Sequence, residues 1–411
     1  MILALVLLLN HTDRLILGIL VEPIRREFQL TDGQIGFLVG PAFALIYAVF
    51  VLPIARLADR HSRVKIITVC LLIWSTATAA FGLAEGFAAL LLARMVLGSA
   101  EAGGIAPSMS VVSDLFSARH RATAMSVFGL GASASVLLAP LLGGALVSLV
   151  GWRWTFGIMG LAGIPIALLL IAFVREPQRG RVDGLTTPGA VVPVTSSLYR
   201  LFRRPSYALL VLGFVLSAFA QFAMFLWLPA FFQRSYGLEP AELGAKLALF
   251  QGLPLLAGNI LGGVLADFLA RRDKRWLARM MMLGSAVAAP AAAILFAVRS
   301  ETVAFAILAA PSLVQGLSIG AGYALVQNLA AVHSRATSSA VLALCVTVVG
   351  VGLGPFTLGM LSQHLSAEFG PESLRYAFFL VCPIFAAAAL SFGMIARFLE
   401  RDFEDARQDH P

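Results

Sequence analysis

Apolar stretches of about 20 residues recur along this chain at intervals of about 30 to 35 residues, and this repetition limits what it can fold into. A helix of about 20 residues crosses the hydrocarbon core of a bilayer, where each backbone N–H and C=O must find its partner inside the segment. Of the 411 residues, 59% are hydrophobic and 13% charged. A soluble domain is about 25% charged. The pattern predicts an all-α membrane protein with twelve spans, at 1–22, 34–56, 65–84, 87–112, 121–149, 154–174, 206–232, 243–266, 277–298, 302–330, 336–363 and 374–397. Residues 1–9 lack a basic leader, so the first stretch reads as a span rather than a cleaved signal.

Lysine and arginine set the expected orientation. Arg56, Arg60, Arg63, Lys65, Arg119, Arg121, Arg271, Arg272, Lys274, Arg275, Arg279 and Arg335 fall on one side, together with the arginines between spans six and seven. Arg25, Arg26, Arg153, Arg234, Lys246, Arg299 and Arg375 fall on the other. The excess is roughly threefold, which puts both termini in the cytoplasm of a cell (inner) membrane and makes the number of spans even. The net charge of +8 belongs mainly to these loops, so no nucleic-acid partner is expected.

The two halves echo each other. Ala55-Arg56-Leu57-Ala58-Asp59 ends the second span and Gly263-Val264-Leu265-Ala266-Asp267 the eighth. Arg121-Ala122-Thr123 opens the fifth and Arg335-Ala336-Thr337 the eleventh. Ala139-Pro140-Leu141-Leu142-Gly143-Gly144 is matched by Gly354-Pro355-Phe356-Thr357-Leu358-Gly359. Three matches in one order predict a duplicated unit: a six-helix bundle at 1–175, a cytoplasmic linker at 176–205, a second six-helix bundle at 206–398 and a cytoplasmic tail at 399–411. Paired bundles with a site between them are a transporter architecture.

Against this background Asn10-His11-Thr12-Asp13-Arg14 stands out, because it puts an acid and a base inside the first span. Charge at bilayer depth is costly and by default marks function. Arg94 and Glu101 do the same in span four. At 1.5 Å per residue, Asp13 and Arg94 lie roughly 10–14 Å from the outer face, in one layer. Glu101 is about two turns deeper, on nearly the same face as Arg94. Asp13 and Glu101 are the expected proton-coupling acids, with Arg14 and Arg94 as charge partners or as ligands for a substrate head group. An unpaired carboxylate in low dielectric holds its proton, and a guanidinium beside it favours release. The competing reading is two structural ion pairs that fix helix packing. Spans 7 to 12 carry no central charge, and their polar or aromatic cavity residues are Gln221, Trp227, Gln251, Gln315 and Tyr323. A cavity charged on one wall and aromatic or amide-lined on the other suits an amphiphile better than a sugar.

The segment from Ala55 through Asp59, Arg60, Ser62, Arg63 and Lys65 resembles the signature of the major facilitator superfamily, with Ala55 and Ser62 in place of its two glycines. Within that superfamily, Asn10-x-x-Asp13-Arg14, Arg94-x-x-x-Gly98-x-x-Glu101-Ala102, Trp74-Ser75 and Gly151-Trp152-Arg153 resemble the spinster family of proton-coupled lipid transporters. The tyrosine usual before Asp-Arg is absent, and His11 and Thr12 fill the gap. An Asn-x-x-Asp-Arg with an Arg…Glu-Ala is also carried by the anion:cation symporters. The resemblance implies the major facilitator fold, a central cavity faced by spans one and four, and alternating access. It also implies a cytoplasmic gate in which Asp59 faces a helix N-terminus and Arg63 pairs with Asp114, with Arg60 beside them. The expected substrate is a small amphipathic or anionic molecule, of lysophospholipid or sphingoid type. A proton-coupled symporter of small organic anions, or a non-transporting membrane sensor, is the alternative.

No catalytic constellation is visible: there is no His-Glu-x-x-His, and the six histidines are scattered. Cys70, Cys345 and Cys382 are isolated in apolar stretches, so neither a metal site nor a disulfide framework is expected. The reading is therefore of a monomer without cofactor, driven by the proton gradient and in contact with membrane lipids.

Overall fold

The structure is a computed structural model that describes residues 1–178, 201–329 and 335–408. Most of the expected linker, the last residues of the tail and the approach to Arg335 lie outside these residues. The elements are α1 (Ile2–Phe28), α2 (Asp32–Val39), α3 (Pro41–Arg60), α4 (Arg63–Phe81), α5 (Phe87–Glu101), α6 (Ile105–Leu115), α7 (Ala118–Leu161) and α8 (Gly163–Phe173). They continue as α9 (Pro205–Tyr236), α10 (Pro240–Leu247), α11 (Leu253–Arg272), α12 (Trp276–Ala297), α13 (Glu301–Leu329), α14 (Arg335–Cys345), α15 (Gly354–Phe369) and α16 (Ser373–Gln408). No strand occurs among the described residues.

Ten helical stretches among the described residues are long and apolar enough to cross a membrane. Two of them, Thr123–Phe173 and Ser338–Asp402, run to 51 and 65 residues. A crossing needs about 20 residues, so each has length for two. Each is also interrupted by a glycine at positive φ, Gly151 at 77° and Gly370 at 51°, a conformation that L side chains resist. The expected pairs of spans 5 and 6, and of 11 and 12, fall on these two stretches.

The two breaks share a local chemistry. After Gly151, Arg153 donates to the carbonyls of Gly82 (3.1 Å) and Ala84 (2.7 Å), just beyond the end of α4. After Gly370, Arg375 donates to Phe296 (2.6 Å) and Val298 (3.1 Å) at the end of α12. In each half an arginine thus satisfies carbonyls that a helix C-terminus leaves without intrahelical partners.

The chain divides into two compact units, Met1–Gly189 with Phe225–Ala248, and Ala190–Met224 with Leu249–Pro411. The later part of α9 and all of α10 thus belong to the first unit. There Gly144 of α7 meets the Pro240 carbonyl, and Gly244 of α10 meets the Pro140 carbonyl, contacts that leave no room for a Cβ. In the second unit the core gathers Tyr207, Leu210, Met281, Leu325 and Phe392. Its tightest seam is α11 on α13, where Gly258 faces the Leu313 carbonyl and Gly316 the Leu255 carbonyl. Small residues at such seams let helix backbones approach without a hydrophobic driving force from lipid.

This seam predicts a contrast within one helix. G258L forces a side chain against rigid backbone and is expected to cost about 1–3 kcal/mol of stability. G263A, where an added Cβ meets nothing within 4 Å, is expected to be neutral. Thermal unfolding of the purified protein in detergent checks both.

Candidate functional site

The four expected charges are all buried in the first unit, with exposures of 2% for Asp13, 8% for Arg14, 3% for Arg94 and 0% for Glu101. Neighbours on a helix point about 100° apart, so Asp13 and Arg14 serve different surroundings. Arg14 reaches α5, where its Nε donates to Glu101 Oε2 at 2.6 Å. Glu101 is the last residue of α5, the end where the helix dipole gives an anion no help, so Arg14 provides the counter-charge. Asp13 turns to α4 and accepts from the Thr78 hydroxyl at 3.5 Å. Arg94 donates to the Val39 carbonyl at 3.5 Å. Among these four described residues the direct ion pair is therefore that of Arg14 with Glu101.

Beneath both arginines lies an aromatic floor that the sequence did not reveal. The Arg14 guanidinium carbon lies 4.5 Å from the centre of the Phe43 ring and 5.3 Å from that of Tyr47. Arg94 lies 4.8 Å from the same Phe43 ring. Ring faces attract desolvated cations by about 0.5–2 kcal/mol. Phe43 is completely buried in α3, and Gly98 of α5 lets its backbone come close, since a Cβ there would lie 2.9 Å from the Phe43 carbonyl.

The cluster is under-satisfied. Asp13 Oδ1, Glu101 Oε1, Arg14 Nη2, Arg94 Nε and both amide atoms of Asn10 are buried with no hydrogen-bond partner among the described residues. Such an atom costs about 1–3 kcal/mol, so fold stability alone gives no reason for this arrangement. Its open donors and acceptors are of the chemical kind that anionic or hydroxylated groups pair with.

The second expected set is partly assembled. Arg63, only 3% exposed, donates through Nη1 to Asp114 at 2.5 Å and to Ser110 at 2.8 Å. Its Nε reaches Glu176 at 2.8 Å and its Nη2 the Pro177 carbonyl at 3.0 Å. Glu176 also accepts from Ser62 Oγ at 2.8 Å and from the Val64 amide at 2.9 Å. Glu176 was not foreseen, because in the sequence it is one acid at the start of an arginine-rich linker. Asp59 and Arg60 lie exposed at the end of α3.

The expected cavity residues are more dispersed. Trp227 is wholly buried in the first unit, with Arg234 5.9 Å from its ring; it is packed rather than open. Gln221, Gln251, Gln315 and Tyr323 belong to the second unit. Gln251 is buried and lies in a π-helical turn, Ala248–Gly252, a distortion frequent at functional positions. Tyr323 is 66% exposed.

A third cluster was also missed. Arg234 donates to Glu22 at 2.5 Å and to both oxygens of Asp32 at 2.7 Å, although the sequence read it only as a loop cation. Glu22 is additionally paired with Arg25 at 3.3 Å.

Comparison with known proteins fits this geometry. The model of the Major Facilitator Superfamily matches residues 3–355. The chain belongs to that superfamily. An MFS-type efflux pump of Mycolicibacterium smegmatis is 31% identical over 99% of this chain and 94% of its own length. The mouse protein spinster homolog 1 is 27% identical over 96% of this chain and 79% of its own. The crystal structure of a bacterial homologue of the human lysosomal transporter Spinster, inward-facing and unoccupied, superposes with a TM-score of 0.82 at 30% identity. That match covers 98% of this chain and 97% of the other. The chain is thus a spinster-like transporter, not an enzyme, and an integral multi-pass membrane protein.

Two outcomes follow. R14A leaves the Glu101 carboxylate buried without its counter-charge and is expected to cost about 3–5 kcal/mol. R14M/E101M is expected to recover most of that loss, in an unfolding titration of the detergent-solubilised protein. At Glu176, partial burial pushes the carboxyl up, but the Val64 amide, Arg63 and Ser62 outweigh it and hold it below the ordinary carboxylate range. A depressed acid contributes stability above its unfolded pKa and loses it as pH falls through the lower folded value. Hydrogen exchange at the Val64 amide, corrected for intrinsic rate, is expected to lose protection only on strong acidification, and in E176Q to show no such step.

Proposed function

We propose that this chain is a secondary active transporter that moves an amphipathic, lipid-like substrate of lysophospholipid or sphingoid type, by alternating access coupled to protons. The observation that carries the reading is the buried ion pair of Arg14 with Glu101 beside Asp13, whose Oδ1 has no hydrogen-bond partner among the described residues. Asp13 and Glu101 are the proton-binding acids. Arg14 and Arg94 stay charged whatever the pH, so they act by changing partners. When an anionic head group takes a guanidinium, the carboxylate it leaves behind becomes a better proton acceptor. Substrate and proton movement are linked through that exchange.

The lipid-like class is supported by the resemblance to spinster proteins and by a second half whose expected spans carry no central charge. Similarity to an efflux pump favours export. The lysine and arginine bias supports a reading with both termini in the cytoplasm and the chain in the inner membrane. On that side, the knot of Arg63, Asp114 and Glu176 acts as a latch, with Asp59 and Arg60 at its rim.

Proteoliposomes test the coupling. Wild-type protein is expected to give lysolipid movement that depends on a pH gradient, and D13N to lose the substrate-linked proton flux. Unchanged flux in D13N defeats the coupling role. Competition separates the substrate classes: a ligand-induced thermal shift by lysolipid that disappears in R94A supports the amphiphile, whereas a shift by sugar acids alone supports the organic-anion alternative.

A further inference from the structure

A groove of about 290 Å³ opens in the second unit between α12 and α16, close to the lower end of ligand-sized clefts, about 300–1,000 Å³. Met282, Leu283, Phe392, Gly393 and Ala396 form its apolar length, and Trp276 and Arg279 stand at one end. Phe392 forms the floor, buried edge-on against Phe214. Gly393 keeps the groove open: a Cβ there would press on Met282, 3.0 Å from its sulfur. Leu283, Met394 and Phe398 are exposed on the same two helices. On an apolar face of spanning helices, the molecule that meets such a groove is a lipid chain.

The end at Trp276 is basic. Residues 271–279 hold Arg271, Arg272, Lys274, Arg275 and Arg279 against the single acid Asp273. Arg275 pairs with Glu400 at 2.8 Å and Arg279 with Asp273 at 3.2 Å. Both arginines are 39% exposed, so these pairs are screened and individually weak. A guanidinium has five donors, and Arg275 Nε is buried with no partner among the described residues. Trp276, on which Arg279 rests at 5.3 Å, is a residue type enriched at the head-group level of bilayers.

We propose that this groove is a binding site for an anionic phospholipid of the leaflet on the side of the basic loops. One acyl chain lies along Leu283, Phe392 and Gly393, and the phosphate sits against Arg275 and Arg279. The site belongs wholly to the second unit and is separate from the Asp13 cluster.

The full chain in phosphatidylcholine nanodiscs, doped with phosphatidylglycerol bearing a photoreactive group on one acyl chain, tests it. Crosslinks are expected in the peptides covering 276–283 and 392–396. Labelling there should fall about thirtyfold in R275Q/R279Q, two basic residues at a membrane surface being removed. It should also fall in G393L, which fills the groove, and persist in R56Q, which removes an exposed cation elsewhere. Equal labelling by a phosphatidylcholine probe, or labelling unchanged in R275Q/R279Q, overturns the proposal by showing ordinary boundary lipid. Should G393L fail to fold, the charge variants decide alone.

Discussion

A carboxylate with no exposed surface, Glu101, faces a guanidinium that is itself almost buried, Arg14, at 2.6 Å. Removing two such charges from water costs several kcal/mol each, and their attraction offsets this only when the geometry is good. The surroundings of the pair are arranged around that constraint. Glu101 ends α5 just before the break at Gly103 and Gly104, α3 comes in closely at Gly98, and Phe43 supplies a ring face to both arginines. Even so, Asp13 and Asn10 remain incompletely satisfied.

The rest of the first unit repeats the same economy at its ends. Arg63 collects Asp114, Glu176 and the Pro177 carbonyl, and Arg234 collects Glu22 and Asp32. In both places a planar fork of donors serves acids from more than one element, which a lysine could not match in geometry. Arginine-centred knots, one deep and the others near helix ends, are therefore part of the electrostatic frame of this unit.

Much of this was legible in the sequence, for definite reasons. The spans are read from apolar length, because lipid leaves helices little alternative. Asp13, Arg14, Arg94 and Glu101 are read from their cost in such stretches. Arg63 with Asp114 came from resemblance. The pairing inside the quartet was not legible, because it depends on a 100° turn between Asp13 and Arg14 that points them at different helices. Phe43 and Tyr47 look like any aromatic residues of an apolar span. Arg234 and Asp32 are 202 residues apart in sequence, and nothing local links them. Trp227 reads equally well as cavity wall or core, and only its burial shows that it is packed.

Phe43 is shared by both arginines. Its ring is anchored in α3, yet the two cations on it come from α1 and α5. The ring is a fixed reference against which those two helices are measured. If α1 slides along α5, one guanidinium must lose its place over the ring while the other keeps its own. A movement shared equally by both helices would lift both cations together. The aromatic floor thereby distinguishes shear within the bundle from motion of α1 and α5 together, and it translates only the former into a change in how tightly Glu101 is held.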